Sequence, residues 1–293
     1  MHAPEDRQLS WRLRRYAHAS PRCSIAASKP PKLTLARRYG RRSMHRHALA
    51  MCGLWLLAVG CGGGGNRATT TAAAAPAPVH ESCVRASERT AAISFRSTDG
   101  VRLVGILLGR GDVGVVLAHQ WGGDLCQWLP FARLLSTKGY RVLAFDFRGY
   151  GSSPGEPNVH LNRDVLGAAS ELHRRGVRRI FLGGASMGGT AVLDATATLR
   201  PRAAAVFSLS APRDWTEAGV DALAAVKNMA VPSLFATAAS DRFGINDSPG
   251  LYRASATKQK RLIVVRGSEH GVELLGKRRV RAAIFALLAA HSR

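Results

Sequence analysis

From Ile93 to the C-terminus the apolar residues change their spacing again and again, and this alternation limits the folds open to the chain. ISFRS and VRLVGILL read as two short strands, with Thr98-Asp99-Gly100 as a hairpin-type turn between them. GDVGVVLAH (Gly111 to His119) is a continuous apolar run, as a strand buried on both faces requires. In LCQWLPFARLLSTKGY, Leu125, Trp128, Leu129, Ala132 and Leu135 share one helical face; Gly139 ends the helix and Pro130 marks a start or kink. Further strands are expected in RVLAFDF, RRIFLGG, AAAVFSLS, VPSLFATAAS and KRLIVVRG. Helices are expected in LNRDVLGAASELHRRG, SMGGTAVLDATATL, EAGVDALAAVKNMA and ELLGKRRVRAAIFALLAAHS. Strand–helix alternation of this kind predicts a doubly wound, mostly parallel α/β sheet of about eight strands with helices on both faces. Ligand sites in such sheets lie beyond the C-terminal ends of the strands.

The first part of the chain is of another character. Residues 1–43 are basic, polar and irregular and read as an unstructured extension. Met44 opens a second unit: a short positive start, a 13-residue apolar run from Ala48 to Gly60, then Cys61. The run is too short to span a bilayer as a helix, which takes about 20 residues, and has the length of a signal-peptide core. With Ala58-Val59-Gly60 before the cysteine, 44–61 resembles a bacterial lipoprotein signal. That resemblance implies lipidation at Cys61 and a membrane-anchored, extracytoplasmic protein. Translation from Met44 would leave residues 1–43 outside the protein. An ordinary cleaved signal or an uncleaved anchor are the other readings. Residues 62–87, beginning with the low-complexity GGGGNRATTTAAAAPAPVH, read as a flexible linker, and 88–293 as the folded domain. Cys83 and Cys126 are the cysteines left in that part of the chain, and an exported compartment permits a disulfide between them.

The formal net charge of +23 divides between these regions. Residues 1–61 hold 12 Lys/Arg against 2 Asp/Glu, and the remainder 30 against 17. No nucleic-acid-binding motif accompanies the basic residues, so a solvated, Arg-rich surface is expected and no nucleic-acid partner.

Gly184-Ala185-Ser186-Met187-Gly188 fits G-x-S-x-G between a strand and a helix, the setting in which that pattern forms a nucleophile elbow. A phosphate loop would need a Lys after the glycines, and none follows. His270 in GSEHG and Asp241 in ATAASDRF both follow strands, at the same sheet edge as Ser186. A serine hydroxyl needs a base, and a histidine base needs an orienting acid. Asp214 is the second candidate for that acid and Asp247 the third.

With these residues in place, 88–293 resembles the serine-type α/β-hydrolases, close to small lidless esterases and dienelactone-hydrolase-like proteins. The chain order Ser186, Asp241, His270 is theirs. His119-Gln120-Trp121-Gly122-Gly123 stands where the family has H-G-x-G-G, with Gln120 in place of a glycine. Asp146-Phe147-Arg148-Gly149-Tyr150-Gly151-Ser152-Ser153 fits the family's D-x-R-G-x-G-x-S loop, in which Asp146 and Arg148 are structural. The resemblance implies main-chain oxyanion donors at Trp121 and Met187, a structural role for His119, and a small-molecule ester or thioester substrate. It implies no cofactor and no metal. Only about 20 residues (211–231) stand where the family inserts a lid, so no large cap domain is expected. Gln120, Trp121, Tyr150 and Trp215 are candidates for the substrate pocket, with Trp128 and Met187 beside them. Peptidase or acyltransferase chemistry on the same fold remains open, as does a non-catalytic binding protein on a hydrolase scaffold.

Overall fold

The computed structural model describes residues 79–243 and 247–293. The signal segment, Cys61 and residues 62–78 of the linker lie outside them. Eight strands form one sheet: β1 (Ala92–Arg96), β2 (Arg102–Leu108), β3 (Val113–Ala118), β4 (Arg141–Asp146), β5 (Arg179–Ala185), β6 (Ala205–Leu209), β9 (Ser233–Ala238) and β10 (Lys260–Val265). Their spatial order is β1-β2-β4-β3-β5-β6-β9-β10. β2 pairs antiparallel with both β1 and β4, and every other pairing is parallel. The 211–231 segment holds β7 (Asp214–Trp215) and β8 (Val220–Asp221), a two-stranded ribbon, and then one short helix.

Two apolar layers sandwich the sheet. On one face lie α1 (Leu129–Ser136) and α6 (Arg278–His291), which contribute Leu129, Leu135, Ile284 and Leu288. On the other lie α2 (Leu161–Arg174), α3 (Met187–Thr198), α4 (Ala222–Asn228) and α5 (Ser248–Ala254), which contribute Val165, Leu172, Val192, Val226 and Leu251. β3 shows why its sequence is apolar throughout: Val115 and Leu117 enter the first layer, Val116 and Ala118 the second. The expected 125–139 helix is divided. A 3-10 turn (Leu125–Gln127) is capped by Asp124, and α1 begins afterwards with Pro130 in its first turn, where a missing N–H costs nothing. The helix expected from Glu273 is likewise a 3-10 turn (Gly271–Gly276) followed by α6.

The domain begins earlier than residue 88. Val79 and Val84 are buried in the α1/α6 layer, and Cys83 is disulfide-bonded to Cys126. Glu88 receives Arg133 through two bonds of 2.7 Å, and Arg133 also donates to the Cys83 carbonyl. Residues 79–87 are therefore a packed arm and not tether, because two buried valines and a covalent link hold them down. The disulfide closes a 43-residue separation, and such a closure is worth about 2–4 kcal/mol. Replacing both Cys83 and Cys126 by Ser is expected to lower the melting temperature by roughly 5–10 °C in a circular-dichroism melt. An unchanged melting temperature would show that the arm is held by packing alone.

Candidate active site

β4 and β5 flank β3 on opposite sides, so the crossovers through α1 and α2 run to opposite faces of the sheet. The crevice at such a reversal opens beyond the C-terminal ends of β3 and β5. The first residues past those ends are His119 and Ser186.

Ser186 has φ 48° and ψ −119°, a conformation that non-glycine residues rarely adopt and that stores strain. Its N–H donates to the Leu209 carbonyl at 2.8 Å, which ties the turn to β6. The glycines around it permit close approach. A Cβ on Gly184 would stand 2.2 Å from the Gly188 carbonyl oxygen, and one on Gly188 would stand 2.3 Å from that of Ala118. Ser186 occupies the N-cap of α3, yet its hydroxyl does not cap the helix. Met187 is the first residue of α3, so its N–H has no partner within the helix. The positive end of the helix dipole lies at the same point.

Asp241 and His270 meet as the chain order predicts. His270 Nδ1 lies 2.9 Å from both Asp241 carboxylate oxygens, and both side chains are buried. Nδ1 facing the carboxylate leaves Nε2 as the ring atom that can take a proton. The His270 loop sits against the elbow: a Cβ on Gly271 would lie 3.4 Å from that of Ala185. The loop's own N–H groups are held, since His270 N–H donates to Glu273 Oε2 at 3.1 Å. Neither of the other acids is placed for this role. Asp214 accepts from the Thr216 hydroxyl, and Asp247 receives Arg213 at 2.9 Å.

The pocket candidates separate. Trp121 is 62% exposed beside the crevice. Tyr150 is half-buried; it packs edge-on against His119, and its hydroxyl donates to Asn158 and toward Met187 Sδ. Trp215 packs against the core from β7. Trp128 is a core residue whose indole N–H donates to the Ala118 carbonyl at 2.8 Å. Gln120 does not present its side-chain oxygen as a free pocket group: that oxygen accepts from Val272 N–H at 3.1 Å. Phe243, which the motifs do not mark, is 56% exposed and lies over the His270 ring at 4.4 Å between centroids. Only its place two residues after Asp241 could have drawn attention to it.

The charged residues of the 146–153 loop are structural. Arg148 is buried between Asp164 (2.6 Å) and Asp99 (2.7 Å), and it holds the Asp99 carboxyl well below its ordinary range. Asp146 accepts from the N–H groups of Leu125 and Ser152. Burial, with Glu81 of the arm beside it, pushes Asp146 up to about 8.

The chain belongs to the alpha/beta hydrolase family: the family's model, described as the alpha/beta hydrolase fold, matches residues 114–262. In overall fold it is similar to an esterase of Pyrococcus furiosus, with a TM-score of 0.59 and 16% identity over 68% of this chain and 90% of that one. In sequence it is 32% identical over 114 residues to the uncharacterized protein YfhR of Escherichia coli (strain K12), and 35% identical over 98 residues to epoxide hydrolase 3 of Siraitia grosvenorii. These matches cover 35% and 31% of this chain and only 40% and 30% of the relatives' lengths.

His119 is fully buried. Its Nδ1–H donates to the Gln120 carbonyl (2.9 Å), and its Nε2 accepts from Phe147 N–H (3.1 Å). Burial brings it down to about 4 from 6.5, so it is neutral at pH 7 and unsuited to a second proton relay. A histidine lowered in the fold binds its proton more readily in the unfolded chain. Its contribution is present above pH 6.5 and is lost as pH falls toward 4, by on the order of 3 kcal/mol. In denaturant titrations between pH 7 and 4, His119→Gln should show a shallower loss of stability than the wild type. Parallel curves would mean that His119 does not titrate in this window.

Proposed function

We propose that the protein is a serine hydrolase of carboxylic esters or thioesters, with Ser186 as nucleophile, His270 as base and Asp241 as the acid that orients it. What carries this reading is a strained Ser186 at the end of β5, against which the Gly271–Ala185 contact sets the loop of an imidazole whose Nδ1 is held at 2.9 Å by a buried carboxylate. Ser186 Oγ attacks the acyl carbonyl and passes its proton to His270 Nε2. The oxygen of the tetrahedral intermediate takes up negative charge opposite the N–H groups of Trp121 and Met187. Collapse expels the alcohol or thiol, protonated by His270, and leaves an acyl group on Ser186. A water then gives its proton to His270 and attacks that acyl group, which releases the acid and restores the serine. Asp241 keeps the ring in the tautomer this sequence needs and stabilises the imidazolium.

The epoxide hydrolase among the relatives raises epoxide opening as a second reading, and the same serine could pass its acyl group to another acceptor or cleave an amide. The pairing of a serine with main-chain donors suits carbonyl chemistry. A fluorophosphonate probe should label the wild type and not Ser186→Ala. p-Nitrophenyl ester turnover should fall by roughly 10³-fold or more in Ser186→Ala, and by a comparable factor in Asp241→Asn. Wild-type protein inert to probe and esters, yet active on an epoxide or anilide, would replace the ester reading.

We also place the domain outside the cytoplasmic membrane, on a tether anchored at Cys61. The signal-like 44–61 and the low-complexity residues that follow motivate this, and the Cys83–Cys126 disulfide supports an oxidising compartment. Mass spectrometry of the mature protein should find Cys61 as the N-terminal residue, bearing lipid. An N-terminus elsewhere, or an unmodified Cys61, would remove the anchor.

A further inference from the structure

We propose that Gln120 is a positioning residue that locks the base-bearing loop to the oxyanion loop; this rests on the serine-hydrolase reading above. The family pattern has glycine at this position, and a glycine could make none of the side-chain contacts seen here. The Gln120 main chain is fixed on both sides. Its N–H donates to Gln127 Oε1 at 3.0 Å, and its carbonyl accepts from His119 Nδ1 at 2.9 Å and from Gly123 N–H at 3.2 Å. From this base the side chain reaches across 152 residues of sequence to Val272 N–H, at 3.1 Å. Val272 lies in the first turn of the 3-10 segment after His270, where N–H groups lack partners within the turn.

The receiving loop is shaped for this contact. Gly271 has φ +58°, and a Cβ there would stand 2.1 Å from Gln120 Oε1. Glutamine at 120 and glycine at 271 are thus a complementary pair. Glu273 holds His270 N–H, Asp241 holds the ring, and Gln120 holds the chain two residues on. The same Gln120 precedes Trp121, the proposed oxyanion donor. One side chain therefore fixes the distance between the group that takes the proton and a group that receives the negative charge. Small displacements of such groups reduce turnover steeply.

The test compares wild type, Gln120→Met and Gln120→Glu in the same protein. Methionine keeps the length of the side chain and removes the acceptor; glutamate keeps the acceptor. Fluorophosphonate labelling of the wild type comes first, and an inert wild type would remove the hydrolase reading and this proposal with it. With an active wild type, Gln120→Met should lower kcat for p-nitrophenyl butyrate roughly 10- to 100-fold with KM within about twofold. It should also speed amide hydrogen exchange in residues 268–276, and Gln120→Glu should recover most of both. Two results would overturn the proposal: unchanged kcat in Gln120→Met, whether or not exchange is faster; or equal losses in the Met and Glu variants, which would make Gln120 a packing residue only.

Discussion

The site depends on how closely α3 can approach the sheet. Ser186 has a positive φ because the chain must turn from β5 into α3 within one residue, and that turn exists only if the helix start touches the strands. Gly188 lies against the carbonyls of Ala118 and His119, and Gly184 against that of Gly188. A methyl group at either position would push the helix away from β3 and relax the turn. The strain at Ser186 is over-determined by its surroundings: the 2.8 Å bond from its N–H to β6 fixes one side, and the body of α3, buried through Thr196, fixes the other.

From that contact outward, the supports fall into two systems that do not share groups. One lies behind the β3 and β4 ends: neutral His119 bridges Gln120 and Phe147, and Arg148 binds Asp164 and Asp99. Asp146 anchors the Leu125 and Ser152 N–H groups while Glu81 and Cys83 bring the arm onto the same side. The other lies under the β9 and β10 ends and holds Asp241, His270 and Glu273. The carboxyl groups of the first system are occupied by arginine, hydroxyl or main-chain donors, and the carboxylate at His270 is that of Asp241. The contact from Gln120 to Val272 joins the two systems.

Much of this was legible in the sequence because it is written in local patterns. Apolar runs gave the eight-stranded sheet, and G-x-S-x-G between a strand and a helix gave the elbow. The order of Ser186, Asp241 and His270 pointed to the Asp241–His270 contact as well, since each follows a parallel strand and so emerges at one edge. What escaped depends on contacts between distant segments. Residues 79–87 look like the end of a polar linker; only Val79, Val84 and the partner cysteine show that they pack. Gln120 looked like a pocket residue because its partner lies 152 positions away. Trp128 looked like one for its aromaticity, and is instead core that closes a hydrogen bond to β3. Pro130 marks the start of α1 as its position allows, with a 3-10 turn before it, whereas the helix expected from Glu273 begins only after a second 3-10 turn.

The short segment between β6 and β9 bears on what the proposed chemistry can accept. It contributes a two-stranded ribbon and the seven-residue α4, and Trp215 of the ribbon is turned to the core. On the proposed reading, selectivity would then come from the loops that carry the proposed oxyanion donor and base. Trp121 stands exposed next to one proposed donor and Phe243 stands exposed on the ring of the proposed base. Under the proposed ester chemistry, two large apolar side chains facing water at these loops would give an acyl or alcohol group something to displace water from. Apolar substituents on the substrate would then be bound by the same segments that set the geometry of the proposed reaction, so binding and positioning would be coupled in the 119–123 and 241–243 loops.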